Sequence, residues 1–464
     1  MADPVSVGLT PKSFVSVTRY ASVLGLGFGD CGKGLFVDAL TRRWQAHTVV
    51  RFSGGAQAGH NVIAPGAGHG AVARHHTFSQ FGSGSFVPGT RTMLLAPMIV
   101  HPTALLVEAE ALQAVGVGDA LPRLTIDAQC LVTTPFHQAA GRLREGLRGG
   151  AAHGSCGVGV GETMRVSLDH PELALRYEEL AEAGGGRRRV VLTKLEALRE
   201  KLLMEFQPRL PMKGPEELQK ELSYLQDAGL AQRWLNAALA LTRQCPPCGE
   251  ETLAARLQEP GCVVFEGAQG LLLDEWRGFH PHTTWSSITT KALEKSLARL
   301  SLCVPIEHCG VLRTYLTRHG AGPFPTHDGA LDVVLPEPHN ASAGWQGDFR
   351  RGHPDAVLLR YALETVGDLS GLFVSHMDAL GAQVPLRWCQ AYRCGGDLIQ
   401  RLPVGPMGDL DHQRWLTHRL KEAMPVYADD EVNSEAKFRE QLSTVTDLPI
   451  VLKSYGNTHA HVRS

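Results

Sequence analysis

Charge imbalance is what this sequence most plainly lacks. Forty-five Lys and Arg against 47 Asp and Glu leave a net charge of −2 over 464 residues. That balance argues against a nucleic-acid footprint or a polybasic membrane patch. Long apolar runs are missing as well. The uncharged stretch Met93–Val107 contains Pro97 and Pro102 and is too short to cross a bilayer. No basic segment followed by an apolar core opens the chain, so no secretory signal is expected. Paired cysteines are scarce among the ten present. Cys245 and Cys248 form the one close pair, and no second pair stands at zinc spacing. They follow a helical pattern rather than precede one, so a reduced pair at a helix end is the plainer reading. The other cysteines read as small buried residues in a reducing compartment. A cytoplasmic location is expected.

What is present is ordinary globular material, 43% hydrophobic and 20% charged, enough for a large core. Residues 1–18 read as a loose leader and 19–464 as one domain. Strand patterns at 20–25, 47–52, 262–265, 302–316 and 371–378 alternate with helical ones. Among the latter, 104–118 repeats Leu105, Leu106, Ala109 and Leu112 near a 3.6 period. Residues 190–243 form a mostly helical block, with Pro215 at a helix start, Leu218, Leu222 and Leu225 on one face, and Gly229 at the end. The alternation predicts an α/β fold with a large, mostly parallel sheet and flanking helices. Ligands then gather at the carboxyl ends of the strands.

Four glycine-rich segments fall at such ends. The first, Gly25 to Gly34, reads Gly-Leu-Gly-Phe-Gly-Asp-Cys-Gly-Lys-Gly between an apolar run and a helix-like one. Strand, glycine turn and helix start can cradle phosphate, with Lys33 reaching a terminal phosphate. The pattern is not the Walker loop, and a tight ligand-free connection is the alternative. Asp30 is unusual there. A carboxylate beside a polyphosphate is tolerable if a metal ion intervenes or if it takes a proton. The second segment runs from Arg51 to Asn61. Its His60 is either a donor to a transferring phosphoryl group or a structural histidine. The third, Phe265 to Asp274, carries Gln269, whose amide suits a purine edge. The fourth runs from Tyr315 to Thr326 and ends Gly-Pro-Phe-Pro-Thr.

In this order the four segments resemble the adenylosuccinate synthetase family. Thr283-Thr284-Trp285-Ser286-Ser287, Ser375-His376-Met377-Asp378 and Ser454-Tyr455-Gly456 extend the likeness over residues 20–460. The resemblance implies a P-loop-like α/β fold and a Mg²⁺-dependent ligase in purine biosynthesis. GTP would phosphorylate the 6-oxygen of inosine monophosphate (IMP), and the amino group of aspartate would displace that phosphate. It implies Asp30 and His60 as catalytic residues, and Asp30 with the Gly59 carbonyl as metal ligands. GTP would be held by Gly29, Gly32, Lys33, Gly34, Asp378, Ser454 and Gly456. IMP would be lined by Gln57, Cys156, Gln269 and Thr284, and the amino donor by Arg350 and Arg351. A homodimer is implied too.

The chain also departs from the pattern. Cys31 stands for Glu, Leu35 for Lys, Gln57 for Asn and Cys156 for a hydroxyl residue. His319 follows Thr317-Arg318 where the family has Val, and His376 stands where it has Lys. For the arginine pair that would reach a partner's substrate, Arg165 is the one close candidate. The donor loop, Ala341 to Gly352, keeps only Arg350 and Arg351 of the family's four. Trp345, Asp348 and Phe349 occupy part of it. An unshielded Asp348 would repel a substrate carboxylate. These changes leave room for a paralog that uses another purine nucleotide or another amine, as phage relatives do, or for a non-catalytic nucleotide-binding regulator. Retained Asp30, Lys33 and His60 argue against the regulator. Asp30 favours an IMP-like substrate, since the phage branch departs there.

Overall fold

The computed structural model of the protein describes residues 18–66, 73–210, 215–340, 345–381 and 385–464. The expected leader, except Thr18, and Ala341 to Gly344 of the donor loop lie outside them.

The centre of the fold is a ten-stranded sheet. Its strands are β1 (Arg19–Gly25), β2 (Thr48–Arg51), β3 (Arg91–Leu94), β4 (Leu124–Asp127), β5 (Pro247–Cys248), β6 (Cys262–Gly270), β7 (Ile306–Arg313), β8 (Gly371–Ser375), β9 (Ile450–Ser454) and β10 (Val462–Arg463). They lie in the order β10-β9-β8-β7-β1-β6-β2-β3-β4-β5. Every pairing is parallel except that of β9 with β10. Both faces of the central strands are covered, so they are apolar without alternation. Val23, Val49, Val264, Val311 and Phe373 pack on helix α1 (Lys33–Trp44) through Leu35, Phe36 and Leu40. Leu24, Phe265, Leu312 and Leu372 face the other side, against the Ala356–Val366 helix.

The helical block is observed as α2 (Arg188–Phe206), α3 (Glu216–Gln226) and α4 (Leu230–Gln244). It covers the outer sheet, with Leu195, Leu202, Phe206, Leu218, Leu222, Leu225 and Leu235 buried against Leu94 and Ile126. Pro215 caps α3 as expected. Gly229 does not close that helix but opens α4, because α3 already stops at Gln226. Cys303 is exposed and Cys156 is only partly covered, against the expectation of burial. All ten cysteines are free thiols.

Three strand boundaries differ from the sequence reading: β8 ends at Ser375, short of 378, where a 3-10 turn takes over. β7 is shorter than 302–316 and ends at Arg313. β6 is longer than Cys262–Phe265 and runs to Gly270. Its glycines read as a turn, but the ladder with β1, resuming at Gly25 opposite Gly270 after a register shift, keeps the segment extended. Gly270 is there for close approach. A Cβ on it would fall 2.0 Å from the Gly27 carbonyl oxygen and 2.4 Å from the Gly29 nitrogen. The first and third glycine motifs are therefore packed backbone to backbone.

Candidate active site

The loop after β1 places Gly29, Asp30, Gly32, Lys33 and Gly34 at the carboxyl edge of the sheet. Gly32 caps α1 in the left-handed region, φ 86°, with no side-chain cap. A Cβ there would lie 3.0 Å from that of Ser375 at the end of β8. The first N–H groups of α1 have no intrahelical partner and point toward the loop, the usual anion-binding geometry. Lys33 is buried at the head of that helix, its Nζ 3.7 Å from Cys31 Sγ.

Asp30 also has positive φ, 46°, uncommon for a residue with a side chain. Arg313, at the end of β7, donates from Nε to the Asp30 carbonyl. Arg313 is in turn tied to Glu337 and to the Tyr315 hydroxyl. Burial would raise the Glu337 carboxyl, but the charge and hydrogen bond of Arg313 hold it down at about 2. The backbone of Asp30 is thus anchored by an ionised pair while its carboxylate faces the site. Across from it, His319 Nε2 lies 3.8 Å from Asp30 Oδ2.

His60 opens the Gly59–Asn61 stretch, which packs on the start of α1. A Cβ on Gly34 would meet His60 Cβ at 3.1 Å. Its Nδ1 is 2.5 Å from Glu266 Oε1, and its Nε2 is 2.9 Å from the Ala268 carbonyl. The Ser83 hydroxyl donates to the same Glu266 oxygen, and its N–H to the other at 3.0 Å. Burial pushes Glu266 up, but His60, Arg51 and these hydrogen bonds hold it at about 2, so it is ionised. Burial draws His60 below its ordinary value, with Glu266 opposing. Neither Glu266 nor Ser83 was singled out from the sequence. The available signal was one carboxylate in an otherwise apolar and glycine-rich strand.

Gln57, Gln269 and Thr284 converge as expected. Gln269 Nε2 donates to the Ser286 carbonyl at 2.8 Å, and the Ser286 hydroxyl accepts from Gly54 N–H at 2.7 Å. A Cβ on Gly54 would meet Gln57 Nε2 at 2.8 Å. Thr284 Oγ1 donates to the Leu273 carbonyl. Both amide atoms of Gln57 and Oε1 of Gln269 are buried without a hydrogen-bond partner. Buried polar atoms left in this way mark a place for a polar ligand. Cys156 sits in the 152–159 loop, with burial raising its thiol. Trp345 packs on Gly157 and Trp285 on Gly161.

Asp378 is exposed in a short 3-10 turn after β8. Ser454, at the end of the neighbouring β9, accepts from the His376 N–H at 3.3 Å. Gly456 lies two residues on, under His461. His376, in place of the family's Lys, is held near 3 by burial and Arg313, against the pull of Glu337. It is neutral and packs edge-on to Tyr315.

Arg350 and Arg351 do not act as one clamp. They lie in the strand Phe349–Gly352, which pairs antiparallel with Leu316–His319. Neighbours in a strand point to opposite faces. Arg350 stands across from Arg318 and donates to the carbonyls of Gly320 and Gly322. Arg351 stands across from Thr317 and lies 3.7 Å from Asp332. Arg318, fully buried, donates to the Pro323 carbonyl and lies over the Phe28 ring at 4.0 Å. Burial and then Arg350 push its pKa well down. Nε of all three arginines is buried without a partner. Arg318 is the cation that sequence reasoning passed over, although its motif was in view. Arg165 is tied within its own chain to Glu162, Glu205 and Asp169.

Among the described residues no three His, Cys, Asp or Glu side chains cluster as a metal cage, and no helix is long and apolar enough to cross a membrane.

Comparison with known proteins agrees with this architecture. The adenylosuccinate synthetase family profile matches residues 22–458. Adenylosuccinate synthetase of Myxococcus xanthus is 29% identical over 449 residues, covering 94% of this chain and 95% of the relative. The fully ligated adenylosuccinate synthetase of Plasmodium falciparum superposes with a TM-score of 0.71 at 20% identity, covering 96% of this chain and 99% of the other. The succinoaminodeoxyadenylate synthetase of cyanophage S-2L, bound to dGMP and to dATP as an energy donor, gives a TM-score of 0.55 at 15% identity, covering 96% and 95%. The chain belongs to the adenylosuccinate synthetase family, carbon–nitrogen ligases of purine biosynthesis.

Proposed function

We propose that this protein joins L-aspartate to IMP at the expense of GTP, giving adenylosuccinate, GDP and phosphate. The observation that supports this most is the convergence of Asp30 and the His60–Glu266 pair on one sheet edge. Asp30 takes the proton from purine N1, which makes the 6-oxygen nucleophilic. That oxygen forms a bond to the γ-phosphorus of GTP as the bridging P–O bond breaks and GDP leaves. His60, as an imidazolium whose Nδ1–H is committed to the ionised Glu266, exchanges the Ala268 carbonyl for the 6-oxygen or the phosphoryl group and donates from Nε2. The amine then attacks C6, the C6–O bond breaks, and phosphate departs with its electron pair. The nitrogen loses its surplus proton to solvent. Positioning and electrostatics carry most of such a phosphoryl transfer.

Lys33 and the loop glycines hold the GTP phosphates, and Asp378, Ser454 and Gly456 read guanine. Gln57, Cys156, Gln269 and Thr284 line the purine nucleotide. Arg350, with Arg318 behind it, grips the donor carboxylate. The residues fit Mg²⁺: a one-fifth exposed Asp30 carboxylate and the Gly59 carbonyl are hard oxygen donors, and Mg²⁺ typically draws its other ligands from phosphates and water. Mg²⁺ would neutralise charge on the transferring phosphoryl group. Residues 19–464 act as one domain, in a cytoplasmic homodimer.

A second reading, a different purine nucleotide or amine, is favoured by the thinned arginine set and by the phage enzyme among the structural neighbours. Mass spectrometry of products from GTP, Mg²⁺, a panel of purine nucleotides, and aspartate, asparagine, glutamate or a simple amine decides between them. Adenylosuccinate as the main product supports the first reading. A different adduct supports the second. GTP that is bound but never cleaved would overturn both.

A further inference from the structure

His319 occupies a place where the family pattern has valine, and it faces the carboxylate to which the proposed base role is given. Its Nε2 is 3.8 Å from Asp30 Oδ2, and the two side chains are 21% and 20% exposed. The ring is held edge-on against Phe349, its cross-strand partner, with centroids 4.6 Å apart and planes at 61°. Nδ1 is buried without a hydrogen-bond partner. Asp30 is meanwhile fixed from behind, through its carbonyl, by Arg313. The backbone of Asp30 is therefore anchored, while its carboxylate lies beside this imidazole.

We infer that His319 is a positioning residue for Asp30, and that through it the hairpin bearing the donor arginines sets the direction of the base. The inference rests on the proposed base role of Asp30. At 3.8 Å the contact is longer than a hydrogen bond, and catalytic contacts of this kind tighten when substrate closes the site. The ring acts as a fixed Nε2–H donor to Oδ2. That leaves Oδ1 directed at purine N1, and no change of protonation on His319 is needed. An apolar valine at this position offers no such donor, and the carboxylate is then free to turn away. Misplacing a catalytic group by about an ångström can cost up to about 10²-fold in rate.

The test uses the full chain with His319→Val, His319→Gln, Asp30→Asn and the double variant Asp30→Asn/His319→Val. Circular dichroism and GTP binding establish that each is folded. His319→Val is expected to lower kcat by about tenfold, with KM for GTP and for the amine within about twofold. His319→Gln, which keeps an N–H at similar reach, should recover part of that loss. In the Asp30→Asn background His319→Val should have no further effect, because there is no longer a base to aim. Unchanged kcat in His319→Val, or a defect confined to the KM of the amine, overturns the inference while an inactive Asp30→Asn leaves the base role standing. Near-normal activity in Asp30→Asn overturns the base role itself.

Discussion

The two halves of this site are built in opposite ways. Around His60 and the phosphate loop the polar groups are already paired. Glu266 holds His60 and takes two bonds from Ser83, and the Ser375 hydroxyl donates to the Cys31 carbonyl at 2.9 Å. On the donor side Arg318 and Arg350 stand across from one another, held by carbonyl oxygens, with Nε buried and unpartnered in each. The first arrangement is rigid before any ligand arrives. The second is electrostatically unfinished, since buried like charges favour the arrival of an anion. A preorganised half can keep its chemistry while an unfinished half changes partner.

The largest expected effect breaks the preorganised half. Asp30→Asn should lower kcat by about 10²–10⁴-fold with GTP affinity nearly unchanged, because a positioned base is lost and the loop is not. Single-turnover phosphate release and GTP titration check it, and activity near wild type would refute the assignment.

The next effect probes the unfinished half and separates its two strand arginines. Arg350→Ala should raise the KM for the amine by about tenfold or more, a charge-assisted contact of about 1.5–3 kcal/mol, with the KM for GTP unchanged. Arg351→Ala should do less, because that guanidinium faces Asp332 on the other side of the strand. Equal effects would mean that the two arginines share one carboxylate after all. No effect from either would place the donor elsewhere.

A smaller change is expected at the guanine end. A carboxylate accepts from both N–H groups of the guanine edge and repels the N1 acceptor of adenine. Asp378→Ala should therefore bring GTP and ATP closer in kcat/KM, mostly by weakening GTP. Wild-type protein that uses ATP equally well would remove Asp378 from this role.

The smallest effect is on stability, and its sign follows from the buried groups. His376 is held near 3 against 6.5 in the unfolded chain, so below pH 6.5 the unfolded state binds a proton that the folded state refuses. Stability then falls as pH drops from 6.5 toward 3. Glu266 and Glu337 are held near 2 against 4.5. Their contribution is complete above pH 4.5 and is lost as pH falls toward 2. Denaturant unfolding between pH 7 and pH 4 should show a steady loss, and His376→Gln should flatten its upper part. An unchanged slope would mean that His376 titrates normally in the folded protein.

Much of this was legible in the chain because periodicity and glycine placement are local signals. The sheet strands are continuous apolar runs, the α3 face of Leu218, Leu222 and Leu225 is periodic, and each glycine-rich segment flanks one of them. The errors arose where a neighbour overrides local preference. Gly267 and Gly270 read as a turn, yet they lie in a strand because β1 pairs with β6 as far as Gly270. Gly229 read as a helix end and proved a helix start, since glycine serves both.

The sequence by itself determined the fold class, and it pointed to the edge of the sheet where Asp30, Lys33 and His60 stand. Both follow from patterns within a few tens of residues. The tertiary structure alone decided which groups meet across long separations. It joined Glu266 to His60, anchored Asp30 by Arg313, set His319 opposite its carboxylate and sent Arg350 and Arg351 to opposite faces. The physical reason is the parallel sheet. It brings the ends of strands hundreds of residues apart onto one edge, and its register fixes which side chains face one another.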